Sequence, residues 1–137
     1  MTRTAKAVWN GDLKSGNGNF SVQSGVIADV KYSFKTRFEN EPGTNPEELI
    51  AAAHASCFSM AFSAQMGERG ITPESVTTEA AVTMENLSLT TSKLTTVVKA
   101  PGADRGQIEA AAEAAKSGCP ISKALNVEIS LDLTIEN

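Results

Sequence analysis

The chain has 137 residues, of which 41% are apolar and 20% are charged, values that predict one folded domain over residues 1–137 with a substantial core. Its net charge of −4 argues against nucleic acid or an anionic membrane surface as the main partner. No segment reaches about 18 uninterrupted apolar residues, so no membrane span is predicted. The first residues lack the apolar run of a secretory signal, and we therefore expect a cytoplasmic protein.

Three short strands are predicted in the first quarter of the chain. Residues 3–9 alternate, residues 20–23 follow a Gly/Asn turn, and residues 30–34 alternate again. The Gly- and Asn-rich turns between them indicate an antiparallel meander. Residues 37–44 are then expected to form a polar connection.

Residues 45–64 predict one long helix with a well-marked start. Asn45 occupies the N-cap position, Pro46 the first helical position, and Glu48 lies three residues after the cap. Beyond that start there is almost no charge, and apolar side chains occur on every side, which is typical of a buried helix. Two glycines and a proline predict its end near residues 66–70.

The second half of the chain predicts a hairpin, one or two helices and a final strand. The predicted elements are strands at residues 76–84 and 90–99, a helix at residues 105–116, a short helical turn through residues 123–125, and a strand at residues 127–135. Segregated strands and helices favour an α+β fold, with antiparallel sheets around the long central helix, over a doubly wound parallel sheet.

A helix that is apolar on all sides needs packing partners on all sides. One antiparallel sheet of five or six strands would cover one face, and the alanine-rich second helix would cover part of another. A second copy of the chain is the simplest source of the missing surface. We therefore expect an intertwined homodimer with two central helices near a two-fold axis.

Two cysteines are the first candidates for chemistry. Cys57 lies within the apolar helix, where a free cysteine ordinarily acts as a small hydrophobic residue. Cys119 precedes a predicted helix start, where the helix dipole would stabilise its thiolate. The two residues are 62 positions apart, so spacing alone does not make them a pair. In a reducing cytoplasm the two cysteines are expected to be redox-active or simply buried. The two cysteines and the single histidine do not have the spacing of zinc ligands, so no zinc site is predicted.

A reactive thiol needs a neighbouring cation to lower its pKa. Arg37 is a candidate, although its ordinary role would be a solvated surface charge. Glu47 or Glu48 could hold its guanidinium as a bidentate partner, and Glu48 also fits the capping-box position. Glu47 precedes Cys57 by about 15 Å along a helix, so the two cannot serve one site on a single helix. Antiparallel packing of two central helices could bring Glu47 of one chain beside Cys57 of the other.

His54 lies three residues before Cys57 and is expected to pack or to form hydrogen bonds. A Cys–His acyl hydrolase would also need an orienting Asn or Asp and an oxyanion hole. The sequence marks neither, but this alternative stays open.

Several segments closely resemble the OsmC/Ohr family of osmotically inducible and organic-hydroperoxide-resistance proteins. They are residues 36–39, residues 43–60, the second cysteine motif at residues 118–122, the last strand at residues 127–135, and residues 9–12. Residues 43–50 together with His54 are more similar to the OsmC branch than to the Ohr branch.

The resemblance implies an α+β, intertwined homodimeric thiol peroxidase in oxidative or osmotic stress defence. By position, Cys57 matches the peroxidatic cysteine, Cys119 the resolving cysteine, Arg37 the activating arginine, and Glu47 its carboxylate partner. Cys57 would reduce an organic hydroperoxide, and hydrogen peroxide less well, before forming a disulfide with Cys119. No cofactor is implied; an external dithiol such as a dihydrolipoyl protein or thioredoxin would restore the thiols. The alternative is a non-catalytic dimeric stress or ligand-binding protein with structural cysteines.

Overall fold

The computed structural model describes residues 1–136 and contains two sheets and four helices within them. In chain order the elements are β1 (Ala5–Asn10), β2 (Asn17–Val22), β3 (Val30–Tyr32), α1 (Phe34–Phe38), α2 (Pro46–Gly67), β4 (Ser75–Glu85), β5 (Ser88–Lys99), α3 (Arg105–Gly118), α4 (Pro120–Ala124) and β6 (Glu128–Glu136). The chain divides into two compact units, Met1–Leu49 and Ile50–Asn137. A single domain over the whole chain stays a prediction.

The first unit contains the predicted antiparallel meander. Its strands lie in the order β1-β2-β3, and Phe20 pairs with Ala7 on one side and with Val30 on the other. The Tyr32 ring lies 5.4 Å from that of Trp9. Gly18 is required where these elements meet, because a Cβ there would collide with the Val8 carbonyl and the two aromatic rings. The glycine at position 18 thus leaves room for the Trp9 and Tyr32 rings.

The third predicted strand is present but ends at Tyr32, and the sequence analysis missed helix α1, which includes the first two residues of the expected polar connection. The cause is a local capping box. The Thr36 N–H donates to Ser33 Oγ at 3.2 Å, and the Ser33 N–H donates to Thr36 Oγ1 at 2.9 Å. These reciprocal bonds satisfy the first donors of a helix and override the alternating pattern.

Helix α2 begins as predicted and is covered along one stripe. The Glu48 N–H donates to Asn45 Oδ1 at 2.8 Å. The buried residues of α2 recur every fourth position and are His54, Phe58, Phe62 and Met66. Met60, on the opposite side, is 77% exposed. The sequence predicts that α2 is buried on all sides. In the structure, the chain itself fully buries the helix only along this stripe.

By length and composition, α2 is also apolar enough to cross a membrane, although it contains no long uninterrupted apolar run. This is weak evidence, because the core helix of a folded domain passes the same test. Phe58, Phe62 and Met66 belong to the core cluster of the second unit. These three residues place one stripe of α2 in that core.

The second sheet has the order β4-β5-β6, and only its first pair is antiparallel. Asn86 and Leu87 join β4 to β5 with φ values of 50° and 63°, as a two-residue type I′ hairpin turn requires. Strand β6 then pairs parallel to β5, with Leu94 opposite Leu131. Parallel neighbours need a long crossover, and α3 with α4 supplies it.

Two features of the predicted fold are therefore corrected. The strands form two separate three-stranded sheets instead of one antiparallel sheet of five or six strands, and the last pair is parallel. The core of the second unit lies where α2, β5 and α3 meet. Its fully buried larger side chains are Phe58, Phe62, Met66, Leu94, Val98 and Ile108.

Candidate active site

The second unit brings the two cysteines together. Cys57 projects from α2 and is half-buried, whereas Cys119 is fully buried and is both the C-cap of α3 and the N-cap of α4. Both are free thiols, and they lie close enough for each to affect the pKa of the other through a hydrogen bond. Spacing in the sequence does not report this proximity, which results from the packing of the α3–α4 junction against α2.

Ser122 stabilises the thiolate form of Cys119. Burial of Cys119 would raise its pKa, but hydrogen bonds from the Ser122 hydroxyl and N–H, then from Cys57, hold the pKa below its ordinary value. The Ser122 N–H donates to Cys119 Sγ at 3.3 Å. The sequence predicted thiolate stabilisation at this position through the helix dipole. The local cause in the structure is hydrogen bonding by Ser122.

Cys57 has the opposite shift. Burial raises the pKa of its thiol, and the neighbouring Cys119 raises it further, while a hydrogen bond from the Ile121 backbone lowers it. A cation placed beside Cys57 would act against the first two effects by stabilising the thiolate. If Cys57 is the nucleophile, such a cation is required at this sulfur.

The first unit contains the Arg37–Glu47 pair. Arg37 lies in α1, and its Nε and Nη2 atoms donate to Glu47 Oε1 at 3.1 Å and 2.8 Å. This two-point contact fixes the plane of the guanidinium. The Glu47 side chain is only 14% exposed. Glu48 instead accepts from Thr44 Oγ1 at 2.6 Å, so Glu47 is the carboxylate that contacts Arg37.

A pocket of about 200 Å³ lies beside Arg37 within the first unit. It is lined mainly by apolar and aromatic side chains, namely Trp9, Leu13, Tyr32, Ser33, Phe34, Arg37 and Phe38. The Phe38 ring also lies 5.1 Å from Arg37 Cζ, in cation–π geometry. This lining fits a ligand with an apolar body and a polar or anionic end.

His54 forms a buried polar network with two serines that the sequence analysis did not identify. Its Nδ1 lies 2.7 Å from Ser92 Oγ, and its Nε2 lies 2.8 Å from Ser122 Oγ. All three side chains are buried, and burial lowers the pKa of His54. The expectation of a hydrogen-bonding histidine is confirmed. Because serines occupy both ring nitrogens, His54 is not placed as a base for Cys57, which counts against the acyl hydrolase.

Two signals in the sequence could have pointed to these serines. Ser92 stands on the inward face of a strand, in line with Leu94 and Thr96. Ser122 stands three residues after Cys119, where a backbone N–H meets an N-cap side chain.

Within residues 1–136 no three His, Cys, Asp or Glu side chains converge as metal ligands would.

Comparison with known proteins finds one family that matches most of this chain. Residues 38–134 match the family described as OsmC-like protein. The chain is 45% identical to peroxiredoxin OsmC of Escherichia coli, with 98% of this chain and 97% of that protein covered. It is 35% identical to the organic hydroperoxide resistance protein OhrB of Bacillus subtilis, with 85% and 88% covered. An OsmC-like protein of Mycoplasma pneumoniae, 12% identical, has the same fold with a TM-score of 0.78 over 100% of this chain and 99% of that one.

Proposed function

The chain belongs to the OsmC-like family, on its OsmC branch, and from this premise we propose that it is a thiol-dependent peroxidase that reduces organic hydroperoxides to alcohols. The observation that carries the proposal is the meeting of two free thiols, from α2 and from the α3–α4 junction. The 45% identity to a peroxiredoxin extends over nearly the whole chain and supports the same chemistry.

The proposed cycle begins at Cys57, the more accessible of the two sulfurs. Its thiolate attacks the terminal oxygen of the hydroperoxide, an S–O bond forms, the O–O bond breaks, and the alkoxide leaves as an alcohol after taking up a proton. The Cys119 thiolate then attacks the Cys57 sulfenic acid. An S–S bond forms and hydroxide leaves, becoming water on protonation.

We assign activation of Cys57 to the Arg37–Glu47 pair. The bidentate contact holds the guanidinium plane, and a guanidinium beside Cys57 would oppose the pKa increase that burial causes. Glu47 and Cys57 stand ten residues apart on one helix, about 15 Å along its axis. We therefore propose that the pair of one chain serves Cys57 of a second copy in an intertwined homodimer.

The substrate and reductant follow from the same chemistry. The apolar pocket beside Arg37 favours hydroperoxides with an alkyl or aryl body over hydrogen peroxide, which has no apolar surface to bury. Reduction of the disulfide requires an external dithiol, for which a dihydrolipoyl protein or thioredoxin is suitable. A cytoplasmic location, where such dithiols are kept reduced, is part of the proposal.

One experiment tests the assignment directly. The reduced protein is mixed with one equivalent of cumene hydroperoxide, and its free thiols and mass are measured. Both thiols should disappear, with formation of an intramolecular disulfide and cumyl alcohol. Cys57→Ser should not react, whereas Cys119→Ser should stop at a sulfenic acid. If Cys57→Ser consumes the hydroperoxide as fast as the parent, the peroxidase assignment is lost and a protein with structural cysteines is favoured.

A further inference from the structure

The pocket beside Arg37 has apolar walls of two kinds. Most of its apolar side chains come from strands β1 and β3 or helix α1 and are half-buried; they are Trp9, Tyr32, Phe34 and Phe38. Leu13 comes instead from the turn between β1 and β2, and it is 61% exposed. Of the apolar lining residues, Leu13 therefore has the largest fraction of its surface left for a ligand to cover.

The turn that carries Leu13 is held by its neighbour Asp12. The Asp12 Oδ1 atom accepts hydrogen bonds from the Ser15 N–H at 2.7 Å and from the Ser15 hydroxyl at 2.6 Å. The Asp12 carbonyl accepts another from the Gly16 N–H at 3.0 Å. An aspartate at the first position of a turn commonly binds the backbone of its own turn in this way. Leu13 lies between these bonded residues, so its backbone is held on both sides.

The same turn is joined to the wall of the pocket. The Trp9 indole N–H donates to the Asp12 carbonyl at 3.2 Å. Gly16 lies so close to this wall that a Cβ there would come within 3.1 Å of the Trp9 ring and would collide with the Asp12 carbonyl. These contacts hold Leu13 at the rim of the pocket before a ligand binds. A ligand can then bury the apolar surface of Leu13 without first ordering the turn, which would reduce affinity.

The pocket is small for an organic ligand. Its volume of about 200 Å³ is below the roughly 300–1,000 Å³ of sites that enclose drug-sized ligands. A ring or a long alkyl chain would fill the aromatic part of the pocket and continue over its rim, where Leu13 lies. Hydrogen peroxide has no apolar body and would leave Leu13 exposed.

We infer that Leu13 is a specificity-determining residue, which selects hydroperoxides with a bulky apolar body by covering that body at the rim of the Arg37 pocket. This inference rests on the proposed function and names a residue that distinguishes among its substrates. The contribution of Leu13 increases with the apolar surface of the substrate and is absent for hydrogen peroxide. Asp12 acts through Leu13 as a positioning residue, because it holds the turn without lining the pocket.

The first test compares two substrates. The reduced protein is mixed rapidly with cumene hydroperoxide or with hydrogen peroxide, and the second-order rate constant of Cys57 oxidation is measured. Leu13→Ala should lower the rate constant for cumene hydroperoxide about tenfold, because less apolar surface is buried. Its rate constant for hydrogen peroxide should stay at the parent value. Loss of folded protein would lower both rate constants and would leave their ratio unchanged.

The matched control is Leu87→Ala. Single exposed leucines are common on protein surfaces, and Leu87 is 79% exposed but lies on the β4–β5 turn and does not line this pocket. Leu87→Ala should keep the parent ratio of the two rate constants. A Leu13→Ala ratio equal to that of Leu87→Ala would overturn the inference.

Variants of Asp12 test the positioning role. Asp12→Ala removes both side-chain bonds to Ser15 and should lower the ratio about fivefold although Leu13 is unchanged, because a substrate must then order the turn. Asp12→Asn keeps an acceptor oxygen and should stay near the parent. An Asp12→Ala ratio equal to that of the parent would contradict the positioning role of Asp12.

A second test uses no peroxide. Trp9 is the single tryptophan of the chain and lines the pocket, so its fluorescence reports binding there. Cumyl alcohol, which has the apolar body of cumene hydroperoxide but no O–O bond, is titrated into the reduced parent, Leu13→Ala and Leu87→Ala. Leu13→Ala should raise the Kd about tenfold, and Leu87→Ala should not change it. An equal Kd in Leu13→Ala and the parent, or a parent that binds no cumyl alcohol, would overturn the inference.

The two tests separate this inference from the proposed function. A parent whose Cys57 is oxidised by neither peroxide would contradict the proposed function. The titration with cumyl alcohol would still decide whether Leu13 contacts an apolar body in this pocket. A parent that reduces cumene hydroperoxide as fast as Leu13→Ala does would support the peroxidase and contradict the role of Leu13.

Discussion

At the residue scale, two adjacent glutamates differ completely in their contacts. Glu47 accepts two short hydrogen bonds from Arg37, whereas Glu48 accepts from Thr44 and donates its N–H to the Asn45 cap. Successive residues of a helix point about 100° apart, so only one of the two can face Arg37. The pair therefore offers a matched comparison of a proposed site residue with a capping residue.

Glu47→Gln should reduce kcat/KM for cumene hydroperoxide by about tenfold or more. The change removes the charge that fixes the guanidinium, and a hydrogen bond to a charged group contributes about 1.5–3 kcal/mol. Glu48→Gln, at the neighbouring position, should keep the parent rate. Steady-state peroxidase assays with a dithiol reductant would measure both. Equal losses in the two variants would show that general destabilisation of the helix start is responsible.

The stability of the protein should fall as the pH is lowered below the ordinary histidine pKa of 6.5. His54 is the single histidine of the chain, and burial lowers its pKa. The unfolded state therefore binds a proton that the folded state does not, so stability is complete above this pH and is lost as the pH falls towards the folded pKa. Thermal unfolding from about pH 8 to about pH 5 should show a steeper decline for the parent than for His54→Gln. Parallel curves of stability against pH for the parent and His54→Gln would show that His54 is not the cause of the decline.

The candidate site could be predicted from the sequence only in part. The positions of Cys57, Cys119, Arg37 and Glu47 came from their motif context, and their catalytic roles stay predictions. Ser92 and Ser122 were missed because a serine has no distinctive spacing. Their importance depends on contacts across 38 and 68 residues of chain, which periodicity does not report.

At the scale of secondary structure, α2 has two unlike surfaces. Phe58 and Phe62 are fully buried against the second unit's core, while Met60 between them points outwards. The sequence predicted the helix and its cap correctly, because these depend on neighbouring residues. Helix α1 and the parallel placement of β6 were missed. The first depends on the Ser33–Thr36 capping box, and the second on where a crossover returns to the sheet.

Phe62→Ala should lower the free energy of unfolding by about 3–5 kcal/mol, because it leaves a cavity in a closely packed core. The adjacent exposed Ser63→Ala should change it by less than about 0.5 kcal/mol. Urea denaturation of the reduced proteins at one concentration would measure both. Similar losses in the two variants would contradict the single buried stripe.

At the scale of the whole molecule, the exposed side of α2 is the strongest reason to propose a second copy. An apolar helix that its own chain covers along one stripe leaves apolar surface in water. Two copies packed through α2 would bury that surface and also supply Arg37 and Glu47 to the neighbouring Cys57. Burial and chemistry would then depend on the same assembly.

Met60→Glu should therefore shift the protein towards a monomer and reduce peroxidase activity with it. Light scattering at micromolar concentration would measure the mass. Leu87→Glu is the control, because Leu87 is 79% exposed, close to the 77% of Met60, but lies on the β4–β5 turn. A dimer that tolerates Met60→Glu as well as Leu87→Glu would exclude packing through this side of the helix.

The meeting of α2 with the α3–α4 junction has a thermodynamic consequence as well as a chemical one. A bond between Cys57 and Cys119 closes a loop between two positions 62 residues apart, which would restrict the unfolded chain by about 4 kcal/mol of lost entropy. The oxidised protein should then melt at a higher temperature than the reduced protein. An enzyme whose supply of reductant fails under stress would accumulate in the form that resists heat best, ready to resume turnover when dithiols return.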